Sequence, residues 1–267
     1  VEYAFPRGKV SDWGDNYGNR VDRFNGAVVY LDGQKPSAVS NRGYYTRMTV
    51  VAYDVVNKKL VERWKYDSGN DAKKGYHNGN HNCMPADVDN DGKQELVLGS
   101  TCIDDNGKLL WCNGQGHGDA MHLGDFLPNR EGLELWMCHE EKPWGVSLID
   151  AKTGKNIFHK NHSKDTGRAC CGNIYSKNPC ADIVFVFTAR SLTNASRVMY
   201  VEIAEKYGIP YGVYHYSYAV TGSGAQQEAQ WVVNTLKNNG YDPIMGVWFD
   251  MEDESQAYLS SSTQEAI

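Results

Sequence analysis

The segment "DVDNDGKQE" carries the most pointed chemistry in the chain. It sets Asp87, Asp89 and Asp91 at alternate positions, follows them with Gly92 and closes on Glu95. Carboxylates spaced this way on a tight loop converge on one point, and without a cation they repel one another. A hard ion that takes about six to eight oxygen ligands satisfies them, which makes calcium the expected occupant. The loop is shorter than an EF-hand loop and its flanks read as strand, so a loop-strand calcium site is expected; the alternative is an Asp/Gly-rich turn that binds nothing. A second copy, "GDFLPNREGLELWMC", keeps Asp125, Asn129 and Glu134. Two further segments precede these loops. "NGNHNCM" offers Asn80, His81 and Asn82, and "GHGDAMH" offers His117, Asp119 and His122. Zinc would want Cys or His throughout, whereas amides and carboxylates dominate here, so calcium is again expected. Side-chain to backbone bonds that merely stabilise turns remain the alternative.

These groups have to be held by recurring elements. "ADVDNDGKQELVLGS" pairs an acidic loop with an apolar strand, "GDFLPNREGLELWMC" repeats the layout, and "GNIYSKNPCADIVFVF" begins a third, weaker copy. Hairpin-like segments lie between the copies, "CIDDNGKLLWC" and "VSLIDAKTGKNIFHK", and "MTVVAYDVVNKKLVERWKYD" reads as two strands around an Asn-Lys-Lys turn. Several strands per repeat, with repeats roughly forty residues apart, point to propeller blades. Helical solenoids are excluded, because apolar residues alternate or run in short β-branched blocks. The 267 residues are 41% hydrophobic and 22% charged, enough for a packed core. The formal net charge of −6 argues against a nucleic-acid partner, and no apolar run reaches membrane-spanning length. Seven cysteines cannot all pair within one chain; Cys102 and Cys112, across a hairpin, are the one expected disulfide candidate.

"DWGDNYGNRVDRF", "NRGYYTR", "GNHN", "ADVDNDGKQE", "GHGDAMH" and "TGRACCGNIYSKNP" occur in unbroken order. Together they closely resemble the rhamnogalacturonan lyases of polysaccharide lyase family eleven, over residues 1 to about 180. The resemblance implies a secreted, extracellular enzyme with an eight-bladed propeller and structural calcium ions. It further implies β-elimination at the rhamnose-to-galacturonate linkage of pectin. A uronate lyase removes the C5 proton beside a carboxylate, and the charge that develops must be neutralised by metal or guanidinium. Arg42, Tyr44, Tyr45 and Arg47 are the candidates for substrate contact, arginine pairing with carboxylate and tyrosine stacking on sugar; Tyr44 and Tyr45 as propeller core is the alternative.

After Cys180 the pattern changes. "DIVFVF", "YGVYHYSYA" and "IMGVWFDME" read as strands, separated by helices over "NASRVMYVEIAEKYG" and "GAQQEAQWVVNTLKNNG", a parallel βαβαβ order. "YGIPYGVYHYSYA" followed by "VWFDMEDESQ" resembles glycoside hydrolase family twenty-five lysozymes, barrel-like muramidases of peptidoglycan. That resemblance implies Glu252 as proton donor with Asp250 as its carboxylate partner, and Tyr214, Tyr216 and Trp248 along the sugar cleft. The expected architecture is therefore a partial β-propeller over 1–180 followed by a partial α/β barrel-like segment over 181–267. Neither part closes its sheet from what is present, so an artificial join and a non-catalytic carbohydrate-binding fragment stand beside the lyase and the muramidase as readings. "DIVFVF" is expected to pair in parallel with the strand around Tyr211 to His215, leaving the third blade unfinished.

Overall fold

The computed structural model describes residues 3–162, 165–166, 168–172, 182–186, 211–243, 246–250, 254–256 and 259. Two compact units divide between Gly167 and Arg168, somewhat before the change of pattern read from the sequence at 180.

The first unit is built from three four-stranded antiparallel sheets, each ordered as its strands occur in the chain. The first sheet holds β1 (Phe24–Val29), β2 (Ser37–Arg42), β3 (Thr49–Val56) and β4 (Lys59–Asp67). The second holds β5 (Met84–Ala86), β6 (Glu95–Val97), β7 (Thr101–Ile103) and β8 (Leu109–Cys112). The third holds β9 (Gly118–Gly124), β10 (Glu134–His139), β11 (Val146–Asp150) and β12 (Asn156–Lys160). Turn chemistry follows the sequence. Asn57 and Lys58 take left-handed backbone with φ of 51° and 62°, as a tight hairpin between β3 and β4 requires.

The middle sheet is buried on both faces. Leu96, Leu98 and Ile103 pack with Val29, Val50 and Ala52 of the first sheet. Val97 and Cys102, the alternate residues, pack with Met121, Leu135 and Met137 of the third. Successive strand residues point to opposite faces, so the unbroken apolar run "LVL" is what a strand between two cores needs. The β7–β8 register pairs Cys102 with Trp111 and Thr101 with Cys112. Cys102 and Cys112 are therefore offset by one position, which puts them on opposite faces, and both are free thiols. The expected disulfide does not form.

Trp13, 1% exposed, fixes the N-terminal segment to the first sheet. Its ring lies between the guanidinium groups of Arg42 and Arg47, 4.9 and 5.0 Å away. Arg42 is buried and donates to Asp22 at 2.6 Å. Arg47 grips Asp67 with two bonds, at 2.9 and 2.5 Å.

In the second unit β13 (Arg168–Gly172) pairs antiparallel with β14 (Asp182–Val186), Gly172 opposite Asp182. This overturns the expected parallel partner for "DIVFV": its neighbour is the preceding strand β13, and the two run antiparallel. The third repeat copy thus forms a first strand pair, as the other two do across their acidic loops. β15 (Val213–Tyr216) and β16 (Val247–Asp250) pair in parallel through helix α2 (Gly222–Asn239). Thr221 caps that helix by accepting from the Gly224 amide, and Gly240 ends it in left-handed backbone. The helix expected over 194–208 lies outside the described residues. No helix among the described residues is long and apolar enough to cross a membrane.

Arg47 beside Asp67 holds that carboxyl below its ordinary 3.8, against the opposing effect of burial. A depressed folded value contributes stability that is complete above the unfolded pKa and lost as pH falls through the folded one. Arg47→Met is expected to cost about 1.5–3 kcal/mol at neutral pH, measured by urea unfolding, and the deficit should shrink as pH drops below 3.8.

Candidate metal and carbohydrate site

Two glycines bring the site together. A Cβ on Gly79 would stand 2.5 Å from Cβ of Tyr44, and one on Gly118 would stand 2.3 Å from the Cys138 carbonyl oxygen. With neither present, Asn80 bridges to Gly118, and the two histidine segments lie side by side at the end of the second and third sheets.

His81, His117, Asp119 and Glu140 converge there, each offering a ligand atom within 4.8 Å of the others. His117 is 1% exposed and faces the Gly79 carbonyl through Nδ1 at 2.9 Å. A carbonyl only accepts, so Nδ1 carries the hydrogen and Nε2 the lone pair. Burial, with His81 adding like-charge repulsion, pulls the His117 pKa down to about 3, so the ring is neutral. Its Nε2 lies 3.5 Å from Glu140 Oε2, and neither atom has a hydrogen-bond partner. Burial and Asp119 raise the Glu140 carboxyl. A lone pair facing a carboxylate is stable only with a proton or a cation between them. His81 Nε2 stands 3.1 Å from Asp119 Oδ1 and 2.9 Å from the Tyr45 hydroxyl. Two imidazoles with two carboxylates fit a divalent cation.

Tyr44 and Tyr45 cover this cluster. Tyr44 stacks on His117, its ring tilted by 3°, and Tyr45 lies 4.2 Å from the same imidazole. Arg20, from the short helix α1 (Gly18–Val21), stands 4.6 Å over the Tyr45 ring. Arg23 stands 5.3 Å from that ring and donates to its hydroxyl. Arg42 and Arg47, the arginines expected to meet substrate, are instead committed to Asp22, Asp67 and Trp13. Asn82 Oδ1 is a buried oxygen without a partner, and its amide nitrogen donates to Met121. Among the described residues His122, on β9, and the exposed Asp125 are in none of the converging groups, and Asn129 is exposed. Glu140, Arg20 and Arg23 escaped the sequence reading. Glu140 follows β10 with no spacing motif, and the arginines lie far upstream.

At the acidic loop Asp87, Asp89 and Glu95 converge, and Glu95 also converges with Asp104 and Asp105. Glu95 is fully buried. Oε2 accepts from the Val88 amide at 2.8 Å, while Oε1 has no partner. Burial pushes its carboxyl up to about 7, with Asp89, Asp91 and Asp87 adding repulsion. Asp91 turns away to Lys93, whose Nζ lies 3.0 Å from Asp91 and 3.2 Å from Asp105. An all-oxygen donor set with an orphaned buried carboxylate oxygen fits calcium.

In the second unit Trp248 is 62% exposed on β16, and Tyr216 is opposite Asp250 in the β15–β16 register, with Tyr214 opposite Trp248. Glu252 lies outside the described residues.

Residues 1–208 match the family model described as rhamnogalacturonan lyase family 11, C-terminal domain. The chain is 49% identical over 177 residues to rhamnogalacturonan exolyase YesX of Bacillus subtilis (strain 168), covering 65% of this chain and 29% of that protein. It is 47% identical over 182 residues to rhamnogalacturonan endolyase YesW of the same organism, covering 66% and 29%. A solved Bacillus licheniformis rhamnogalacturonan lyase is similar with a TM-score of 0.64 at 48% identity, covering 68% of this chain and 32% of that one. The chain spans 29% of the length of the two curated relatives it matches.

His117→Ala removes one ligand and leaves the acidic loop intact. Calorimetric titration of calcium into chelator-stripped protein should show one class of site weakened by roughly tenfold or more and the rest unchanged. Unaltered affinity and stoichiometry would exclude the histidine cluster as a calcium site.

Proposed function

The chain belongs to rhamnogalacturonan lyase family 11, and on that premise we propose that it takes part in cutting the rhamnogalacturonan backbone by β-elimination. The observation that carries this reading is the pairing of a His117–Glu140 lone-pair cluster with two arginines over one tyrosine. A cation in that cluster would neutralise the uronate carboxylate and acidify the neighbouring C5 proton. The protein's own groups hold and orient the charge. Arg20 and Arg23, held over the Tyr45 ring, add positive charge at the cluster's edge. Burial keeps His117 neutral, so that its Nε2 stays available as a ligand. Calcium at the Asp87, Asp89 and Glu95 loop serves structure, not chemistry.

The three stacked sheets of the first unit agree with consecutive blades of a propeller. A polymer of this size is met outside the cell, which makes the protein extracellular in this reading. A second reading concerns residues beyond the family match. There, two parallel strands joined through a helix are the layout that a family twenty-five muramidase segment would supply, with peptidoglycan as substrate.

Incubation with rhamnogalacturonan should release unsaturated ends, followed by ultraviolet absorbance, in calcium and not in chelator. Tyr45→Ala should slow that release on the order of 10²-fold. Binding of the polymer without absorbance would make the chain a carbohydrate-binding fragment, and clearing of bacterial cell walls without absorbance would favour the muramidase reading.

A further inference from the structure

The two acidic loops are copies of one device, and they differ in a single decisive feature. Glu95 opens β6 and Glu134 opens β10; both are fully buried. Each turns Oε2 to the amides of its own loop, Glu95 to Val88 at 2.8 Å, Glu134 to Phe126 at 2.9 Å and Leu127 at 3.3 Å. Each also faces an aspartate at the end of the next hairpin strand. Asp104 and Asp150 match in this respect, since each accepts at its carbonyl from the glycine of its turn, Gly107 and Gly154.

Their free oxygens part company. Glu95 Oε1 has no partner. Glu134 Oε1 accepts from Arg130 Nη1 at 2.8 Å, and Arg130 Nη2 donates to Asp150. The guanidinium thus spans the same two carboxylates that in the first copy face each other, and it makes a third bond, to the Glu131 carbonyl, at 3.4 Å. A planar cation with a fork of donors suits two carboxylates at once.

We infer that Arg130 takes the place of a metal ion in the second loop, so that the β5–β8 sheet depends on a divalent cation for its integrity and the β9–β12 sheet carries its own. This rests on the calcium reading of the first loop. It removes Asp125, Asn129 and Glu134 from the set of metal ligands that the spacing suggests, and it gives adjoining repeats different sensitivity to chelation.

The test is residue-resolved amide exchange on the full chain, with calcium and with chelator. The Val88 amide, held by Glu95, should be protected about tenfold or more by calcium near ten times its dissociation constant. The Phe126 and Leu127 amides, held by Glu134, should be unchanged. A calcium response at Phe126 and Leu127 equal to that at Val88 would overturn the inference about Arg130. No response at Val88 would instead overturn the calcium reading of the first loop, and the contrast with it. Arg130→Met adds a gain of binding: terbium luminescence should report one more site than in the unsubstituted chain, and no added site in a folded variant would count against the inference.

Discussion

A carboxylate taken out of water must be neutralised where it sits, at a cost of several kcal/mol when it is not. Two such groups stand at the head of core strands here. Glu95 and Glu134 are each tied to the preceding loop through its amides, so neutralising the charge also fixes how the loop enters the strand. Of the strands they open, β6 contributes Leu96 to one core and Val97 to the other, where β10 adds Leu135 and Met137. Loop, strand and core therefore hang on one electrostatic requirement, which Arg130 meets at Glu134 and which Glu95 poses again.

The candidate reaction site depends on that frame. His81 and Asn82 precede β5, and His117 and Asp119 stand at the start of β9, while Glu140 follows β10 directly. The second sheet delivers two of these groups and the third delivers three, and stacking the sheets through Val97, Met121 and Met137 draws them together. Gly79 and Gly118 make the closest approach possible because no Cβ fits there. The same burial that packs the cluster keeps His117 neutral, which is what a ligand nitrogen requires. Stability and chemistry thus share one cause.

Much of this was legible in the residues. Alternation and turn chemistry located the hairpins around Asn57, Asn106 and Gly154, and the repeated loop-strand unit foretold Glu95 and Glu134 as equivalents. Convergence of Asp87, Asp89 and Glu95 also follows from spacing. What spacing could not reveal was competition for charge. Lys93 draws Asp91 off the loop, Arg130 occupies Glu134, and Trp13 with two aspartates claims Arg42 and Arg47. Arg42 and Arg47 pair with aspartates twenty residues away, whereas Lys93 and Arg130 stand only two and four residues from the carboxylates they take; none of these pairings leaves a periodic trace. "DIVFV" misled for a different reason: an apolar β-branched run suits a parallel or an antiparallel neighbour equally, and only the pairing with β13 decides between them.

The central claim is that one buried glutamate is neutralised by a metal and its twin by an arginine. Long-wavelength anomalous diffraction from crystals grown in calcium tests it directly. A peak beside Glu95 within reach of Asp87 and Asp89, at about 2.4 Å from their oxygens, with none between Glu134 and Asp150, is the result expected. A peak between Glu134 and Asp150 with Arg130 turned outward, or no peak at Glu95, would contradict it.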